Sequence, residues 1–226
     1  MLAHLAATAW LTTTAAHATG LAAPDTSVSA PASEGGPRVR PADNLAARAL
    51  RDGMLRSPTF RALVERLERG SVVVYVSIEP RQSPRLAGTI TWMADTGALR
   101  YVRIGLRPHA VPLRVIASLG HELQHAVEID DRPGIRSVEA FVALYRSIGR
   151  AGALGGGSWD TRAAADTGAV ILAELEASPE PVRPRGRFGP AEWHTWYRDT
   201  QVVRTARGPA PGPTAGTPSP KPPPGR

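Results

Sequence analysis

His121-Glu122-Leu123-Gln124-His125 is the stretch whose reading decides the architecture of this chain. Two histidines four positions apart fall one turn apart on one helix face. Their imidazoles can therefore share a single metal ion. Glu122 projects beside that ion, where a carboxylate can take a proton from a metal-activated water. The flanks favour a helix over Val111 to Ile129: no proline interrupts the motif, and Pro112 sits in the first turn, where its missing N–H costs nothing. At about 100° per residue, Val115, Ile116, Leu119, Leu123, Ala126 and Val127 make one apolar arc. His121, His125 and Glu128 take the opposite side, which predicts a metal site on the floor of a cleft.

Outward from the motif, Ser118-Leu119-Gly120-His121-Glu122-Leu123-Gln124-His125-Ala126-Val127-Glu128 resembles the metal helix of the gluzincin-type zinc metallopeptidases. More narrowly, the chain is similar to a group of small, uncharacterised bacterial HELQH proteins, from about Ser57 to Leu175. The resemblance implies Zn²⁺ as cofactor, water as nucleophile and a small sheet ahead of the metal helix. It implies no particular substrate. Zinc with an open position usually has three protein ligands, and the chain contains no cysteine, so the third donor is an oxygen or another histidine.

Three acids compete for that place. Glu128 shares the histidine face but lies ~7 Å along the axis from the midpoint of the pair, with its side chain leaning back toward the N-terminus. That position suits orienting His125 better than ligation. Glu139 starts the next helix, from which gluzincins take their third ligand. However, the apolar face there is Val138, Phe141, Val142, Tyr145 and Ile148, and Glu139 lies off it; a solvated first-turn acid is the competing reading. Asp160 is the preferred candidate. It opens a helix predicted over Asp160 to Glu176, on the side of Ala164, Thr167, Gly168, Ile171 and Leu175, where a carboxylate needs a partner. The similar HELQH proteins tend to carry an acid-Thr pair here, matched by Asp160-Thr161. Aspartate is one methylene shorter than the gluzincin glutamate, and a helix N-cap is the alternative role for it. The predicted site is thus Glu122 as general base with His121, His125 and Asp160 on the metal. His109, Tyr145 and Tyr197 are candidates for stabilising an oxyanion, and His194 is a remote candidate ligand.

Hydrophobic pattern and turn chemistry supply the frame. Asn44 to Met54 and Ser57 to Glu68 read as helices, the second with a Ser57 cap, a first-turn Pro58 and a terminating Gly70. Ser71 to Glu79 reads as a buried strand. Leu86 to Met93 and Leu99 to Leu106 flank the turn Asp95-Thr96-Gly97 as a hairpin. The expected class is α+β: a small antiparallel sheet of about three strands, then the metal helix and two further helices. Tyr101 to Leu106 is the candidate sheet edge along which a peptide substrate would add as a strand. Gly152 to Gly157 is a glycine-rich loop, read as a lid or a spacer.

The chain has 226 residues with 22 glycines and 22 prolines, which suits one domain with tails. The expected organisation is a signal peptide over 1–18, a linker over 19–42 and a catalytic domain over 43–178. A Pro/Arg-rich segment over 179–207 follows, carrying the aromatic island Glu192 to Tyr197, which is expected to pack back onto the domain; 208–226 is a low-complexity tail. Met1 to Pro24 holds no Asp, Glu, Lys or Arg, and Ala16-His17-Ala18 resembles a cleavage site. The positive n-region is absent, so export to the periplasm or beyond is the first expectation and a cytoplasmic protein the second. The net charge of +7 comes from arginines spread along the chain, with Lys221 the only lysine. No nucleic-acid-binding module accompanies them, so no specific nucleic-acid partner is expected. The reading that results is a zinc-dependent hydrolase acting on a peptide or protein; a non-catalytic metal- or partner-binding exported protein is the competing class.

Overall fold

A computed structural model of the chain describes residues 36–151, 159–179 and 188–206. The expected signal peptide, most of the expected linker, the Gly152–Gly157 loop and the 208–226 tail lie outside these residues. The chain order is β1 (Val39–Pro41), α1 (Asn44–Arg56), α2 (Pro58–Glu68), β2 (Val72–Ile78), β3 (Gly88–Asp95), β4 (Arg100–Leu106), α3 (Pro112–Asp130), α4 (Val138–Ile148), β5 (Arg150–Ala151), β6 (Trp159–Asp160), α5 (Arg162–Ala177) and α6 (Pro190–Ala206). The α+β class is as expected. No helix among the described residues is long and apolar enough to cross a membrane.

The helices begin where local chemistry supplies a cap. Asp43 accepts from the amides of Leu45 and Ala46 at the head of α1, and Ser57 accepts from Phe60 N at the head of α2. Each satisfies an amide that the helix itself cannot. Asp43 also accepts from Ile78 N at 2.7 Å, tying α1 to the end of β2.

The sheet departs from the expectation in two ways. It has four strands in the order β1-β2-β4-β3, and it is mixed: β1 and β4 run parallel to β2, while only β3 and β4 are antiparallel. The hairpin turn is where the sequence places it, with Gly97 at φ +85°, a conformation glycine adopts without strain. Its returning strand inserts between β3 and β2, and this makes β2 and β4 parallel. Alternation along each strand specifies faces, not strand direction, so the pattern could not reveal it. The additional strand β1 lies inside the stretch read as linker. Val39 is fully buried there, and Pro41 closes the strand, which an edge position tolerates. β4 is therefore interior, so the expectation that Tyr101–Leu106 forms the free edge is overturned. Among the described residues the edge on that side is β3.

One sheet face carries rows of paired apolar residues: Val39, Val74, Val102 and Trp92 in one row, Val76, Ile104 and Ile90 in the next. Helix α3 packs on this face and is covered on its other side by α5. The aromatic island does pack back. Trp193 on α6 is fully buried, and its Nε1 donates to Val39 O at 3.0 Å.

The C-terminal end of α3 is pinned by Arg100 of β4. Its guanidinium donates to the carbonyls of Ile129 at 2.7 Å and Arg132 at 2.9 Å, satisfying acceptors that the helix terminus leaves open. Asp130 beside it accepts from Arg66 and from Ser71 N, each at 2.8 Å. These contacts fix the position of α3 along its axis, and with it the motif one to two turns upstream.

Candidate metal centre

His121, Glu122 and His125 lie mid-helix on α3 and are 3%, 1% and 2% exposed. The predicted cleft floor is instead an interface, because the histidine face of α3 is roofed by α5. Two glycines permit the approach. A Cβ at Gly168 would stand 3.3 Å from His121 Cβ, and one at Gly120 would collide with the Ile171 side chain. Wheel geometry distinguished two faces of α3 correctly, but it could not tell a helix-covered polar face from a solvated one.

Asp160 completes the group. Its Oδ1 lies 3.1 Å from His121 Nε2 and 3.8 Å from His125 Nε2, and its side chain is 22% exposed. Ligand atoms of the three residues lie within 4.8 Å of one another. Two ligands each about 2 Å from a shared ion are separated by roughly 3–4 Å, so the spacing fits a single ion. The buried His121, His125 and Asp160 can together hold a metal. The polar atoms support this independently. His121 Nε2, Asp160 Oδ1 and Glu122 Oε1 are all buried without a hydrogen-bond partner. The 3.1 Å separation of the first two is an ion-pair distance, yet their directions make no hydrogen bond. Buried polar atoms of a native protein are rarely left this way, and lone pairs converging on a common point are what an ion requires.

Asp160 reaches this place from β6, not from a helix. Helix α5 starts at Arg162, and its N-cap is Thr161, whose hydroxyl accepts from Ala164 N at 3.1 Å. The capping role considered for Asp160 therefore belongs to its neighbour, and the aspartate is free to turn inward. The other two acids stand apart from the metal position. Glu139 is exposed on α4, as its place off the apolar face of that helix implied. Glu128 has both oxygens engaged, Oε2 with His125 Nδ1 at 2.9 Å and Oε1 with the Thr161 hydroxyl at 2.6 Å.

That arrangement assigns the protons. Ala164 N–H donates to Thr161 Oγ1, so the Thr161 hydroxyl proton is directed at Glu128. An acceptor-only Glu128 carboxylate then takes the Nδ1 proton of His125, which leaves Nε2 of His125 with its lone pair toward Asp160. The Tyr145 hydroxyl donates to the backbone carbonyl of His125 at 2.9 Å. Burial disfavours a charged His125, but the Glu128 hydrogen bond together with the nearby charges of Glu122, Glu128 and Asp160 outweighs it and raises the pKa. Burial also pushes the Glu122 carboxyl up; the two histidines pull it partly back, and Asp160 and Glu128 push it up again.

Strand β3 approaches the motif from the sheet side. A Cβ at Gly88 would lie 2.6 Å from Glu122 Oε1, so the strand can pass over the carboxylate only because that position lacks a side chain. Gly88 and Thr161 are the site residues that the sequence reading did not assign. A glycine opening a strand pattern is a signal of close approach, though it does not say to what.

The candidate oxyanion donors are otherwise engaged or lie on other elements. Tyr145 is buried and its hydroxyl is committed to His125. His109 lies in the turn before α3, where its Nδ1 accepts from Val111 N. Tyr197 stacks on Trp193 of α6 with ring centroids 5.4 Å apart, and His194 shares that helix. None of these joins the metal-binding group. Compared with known proteins, the chain matches no family model, no curated protein and no solved structure.

Proposed function

We propose that the protein is a zinc-dependent hydrolase whose substrate is a peptide or protein, with His121, His125 and Asp160 holding the ion and Glu122 acting as general base. One observation carries the reading: three buried polar atoms, one each on His121, Glu122 and Asp160, lack hydrogen-bond partners where ligand spacing suits a single cation. Two imidazoles and one carboxylate are a donor set that zinc favours, and no thiolate is available to recruit a softer metal. Zinc in such a site supplies Lewis acidity and lowers the pKa of water from ~15.7 toward ~7.

The chain's own residues account for the rest. Glu122 Oε1 has no competing hydrogen bond, so it is available to take a proton from water and return it to a leaving amine. Glu128 and Thr161 hold His125 in one tautomer. β3, beginning at Gly88 beside Glu122, is the outermost strand on that side among the described residues, an edge to which an extended peptide can add.

A second reading has its own support. Glu122 and both histidines are nearly inaccessible, which suits a non-catalytic, metal-binding protein stabilised by its ion. Elemental analysis followed by digestion of a mixed peptide pool, with and without chelator, separates the two. Chelator-sensitive cleavage supports the hydrolase; stoichiometric zinc without cleavage supports the second reading; absence of bound metal overturns both.

A further inference from the structure

A cavity of about 380 Å³ opens at the N-terminal end of α3 and shares no lining residue with the metal-binding group. Its volume lies at the small end of the roughly 300–1,000 Å³ usual for ligand sites. Ala49 of α1, Pro108 of the turn after β4, Pro112, Val115 and Ile116 of the first turns of α3, and Phe188 form its walls. Those walls are apolar, and the lip includes Leu45, 57% exposed.

The charges on the cavity are not balanced. Arg51 is buried, with its guanidinium donating to Asp52 at 3.0 and 2.8 Å and the Phe188 ring lying 4.5 Å away. That pair is neutral overall. Arg48 stands one turn earlier on the same face of α1, is exposed, and makes no hydrogen bond or ion pair among the described residues. Among the described residues, one cation without a counter-charge therefore sits on the rim of an apolar chamber. The adjoining first turn of α3 has the same sign, because Val111 at its head offers no side-chain acceptor and no acid lies in that turn.

We propose that this cavity binds a small amphipathic monocarboxylate, with its aliphatic body against Ala49, Val115 and Ile116 and its carboxylate on Arg48. The guanidinium fork matches a carboxylate, and the chamber has room for a short aliphatic chain with its head at the rim. A neutral molecule of equal length would fill the same space and leave Arg48 unmatched. The site is independent of the hydrolase reading.

Calorimetric titration of the full-length protein with hexanoate and with 1-hexanol tests this, run with and without chelator. Hexanoate is expected to bind saturably and about tenfold more tightly than 1-hexanol, as a charge-assisted contact at a partly exposed arginine would give. Arg48→Gln should bring hexanoate to the level of the alcohol, and Val115→Trp, which intrudes on the apolar wall, should weaken both. If Val115→Trp does not fold, Arg48→Gln at its exposed position still decides. Absence of saturable binding, an unchanged preference in Arg48→Gln, or binding that disappears with chelator would each overturn the proposal; the last would place the carboxylate on the metal-binding group.

Discussion

Glu128 Oε2 lies 2.9 Å from His125 Nδ1, three residues earlier on the same helix. The other oxygen of that carboxylate accepts from Thr161, whose chain neighbour is Asp160. One buried acid thus positions two of the three side chains that could hold a metal, His125 directly and Asp160 through the start of α5. Replacement by an amide breaks the proton order, because Glu128→Gln offers one acceptor where two donors converge. Zinc affinity should fall about 10- to 100-fold in Glu128→Gln and in Thr161→Val, as for other outer partners of ligating histidines. Thr161→Ser, which keeps the hydroxyl, should recover most of it. Competition with a chromophoric chelator measures all three; equal affinities for the Ser and Val variants would show that the hydroxyl has no such role.

The role of Glu122 separates binding from turnover. Its carboxylate sits outside the metal-binding group, so Glu122→Gln should retain zinc at the wild-type stoichiometry. Peptide hydrolysis should drop by at least about 100-fold, the scale of a lost general base. His121→Ala should instead lose the metal itself. Elemental analysis and a peptide-cleavage assay on the same preparations check both, and a Glu122→Gln protein with undiminished cleavage would remove the proposed mechanism.

Much of this arrangement was legible in the chain because it is local. The Ser57 cap, the glycine at the hairpin turn and the one-turn spacing of His121 and His125 are all set within a few residues. Asp160 is singled out by the acid-Thr pair and by a predicted place on a helix face, but it stands on β6 ahead of α5, so the helix argument reaches the right residue from the wrong element. What remained hidden is non-local. The roofing of α3 by α5 depends on Gly120 and Gly168 meeting residues some fifty positions away in the chain, and β1 depends on Val39 finding Val74. The parallel pairing of β2 and β4 follows from which side of β3 the hairpin closes, and alternation is blind to that.

Arg100 offers a test of how α3 is held. Its side chain is buried, as is that of Asp130, and it donates to the last carbonyls of the helix. Arg100→Met retains volume and removes every one of these bonds, leaving the Asp130 charge dependent on the more exposed Arg66. Breaking a buried charged network from one side costs about 3 kcal/mol. Urea unfolding followed by circular dichroism should show this as a lower midpoint with an unchanged slope. A loss below about 0.5 kcal/mol, the scale of ordinary surface substitutions, would mean that α3 is positioned by apolar packing alone.

Glu174 predicts a pH dependence at the opposite end of α5. Burial pushes its carboxyl up, but hydrogen bonds from the Ser57 hydroxyl and from Thr59 outweigh this and hold it below its ordinary 4.5. The Thr59 amide and hydroxyl donate at 3.1 and 2.7 Å, so the carboxylate joins α5 to the first turn of α2. A carboxyl depressed by folding stabilises the protein fully above its unfolded pKa, and that contribution is lost as pH falls through the lower folded value. Glu174→Gln should therefore melt below the wild type at pH 7, and the gap should narrow from about pH 5 downward as the wild-type group protonates. Paired thermal melts from pH 7 to pH 2.5 read the difference directly, so that acid effects common to both proteins cancel. A gap of constant size across that range would assign the effect to side-chain packing and not to the charge.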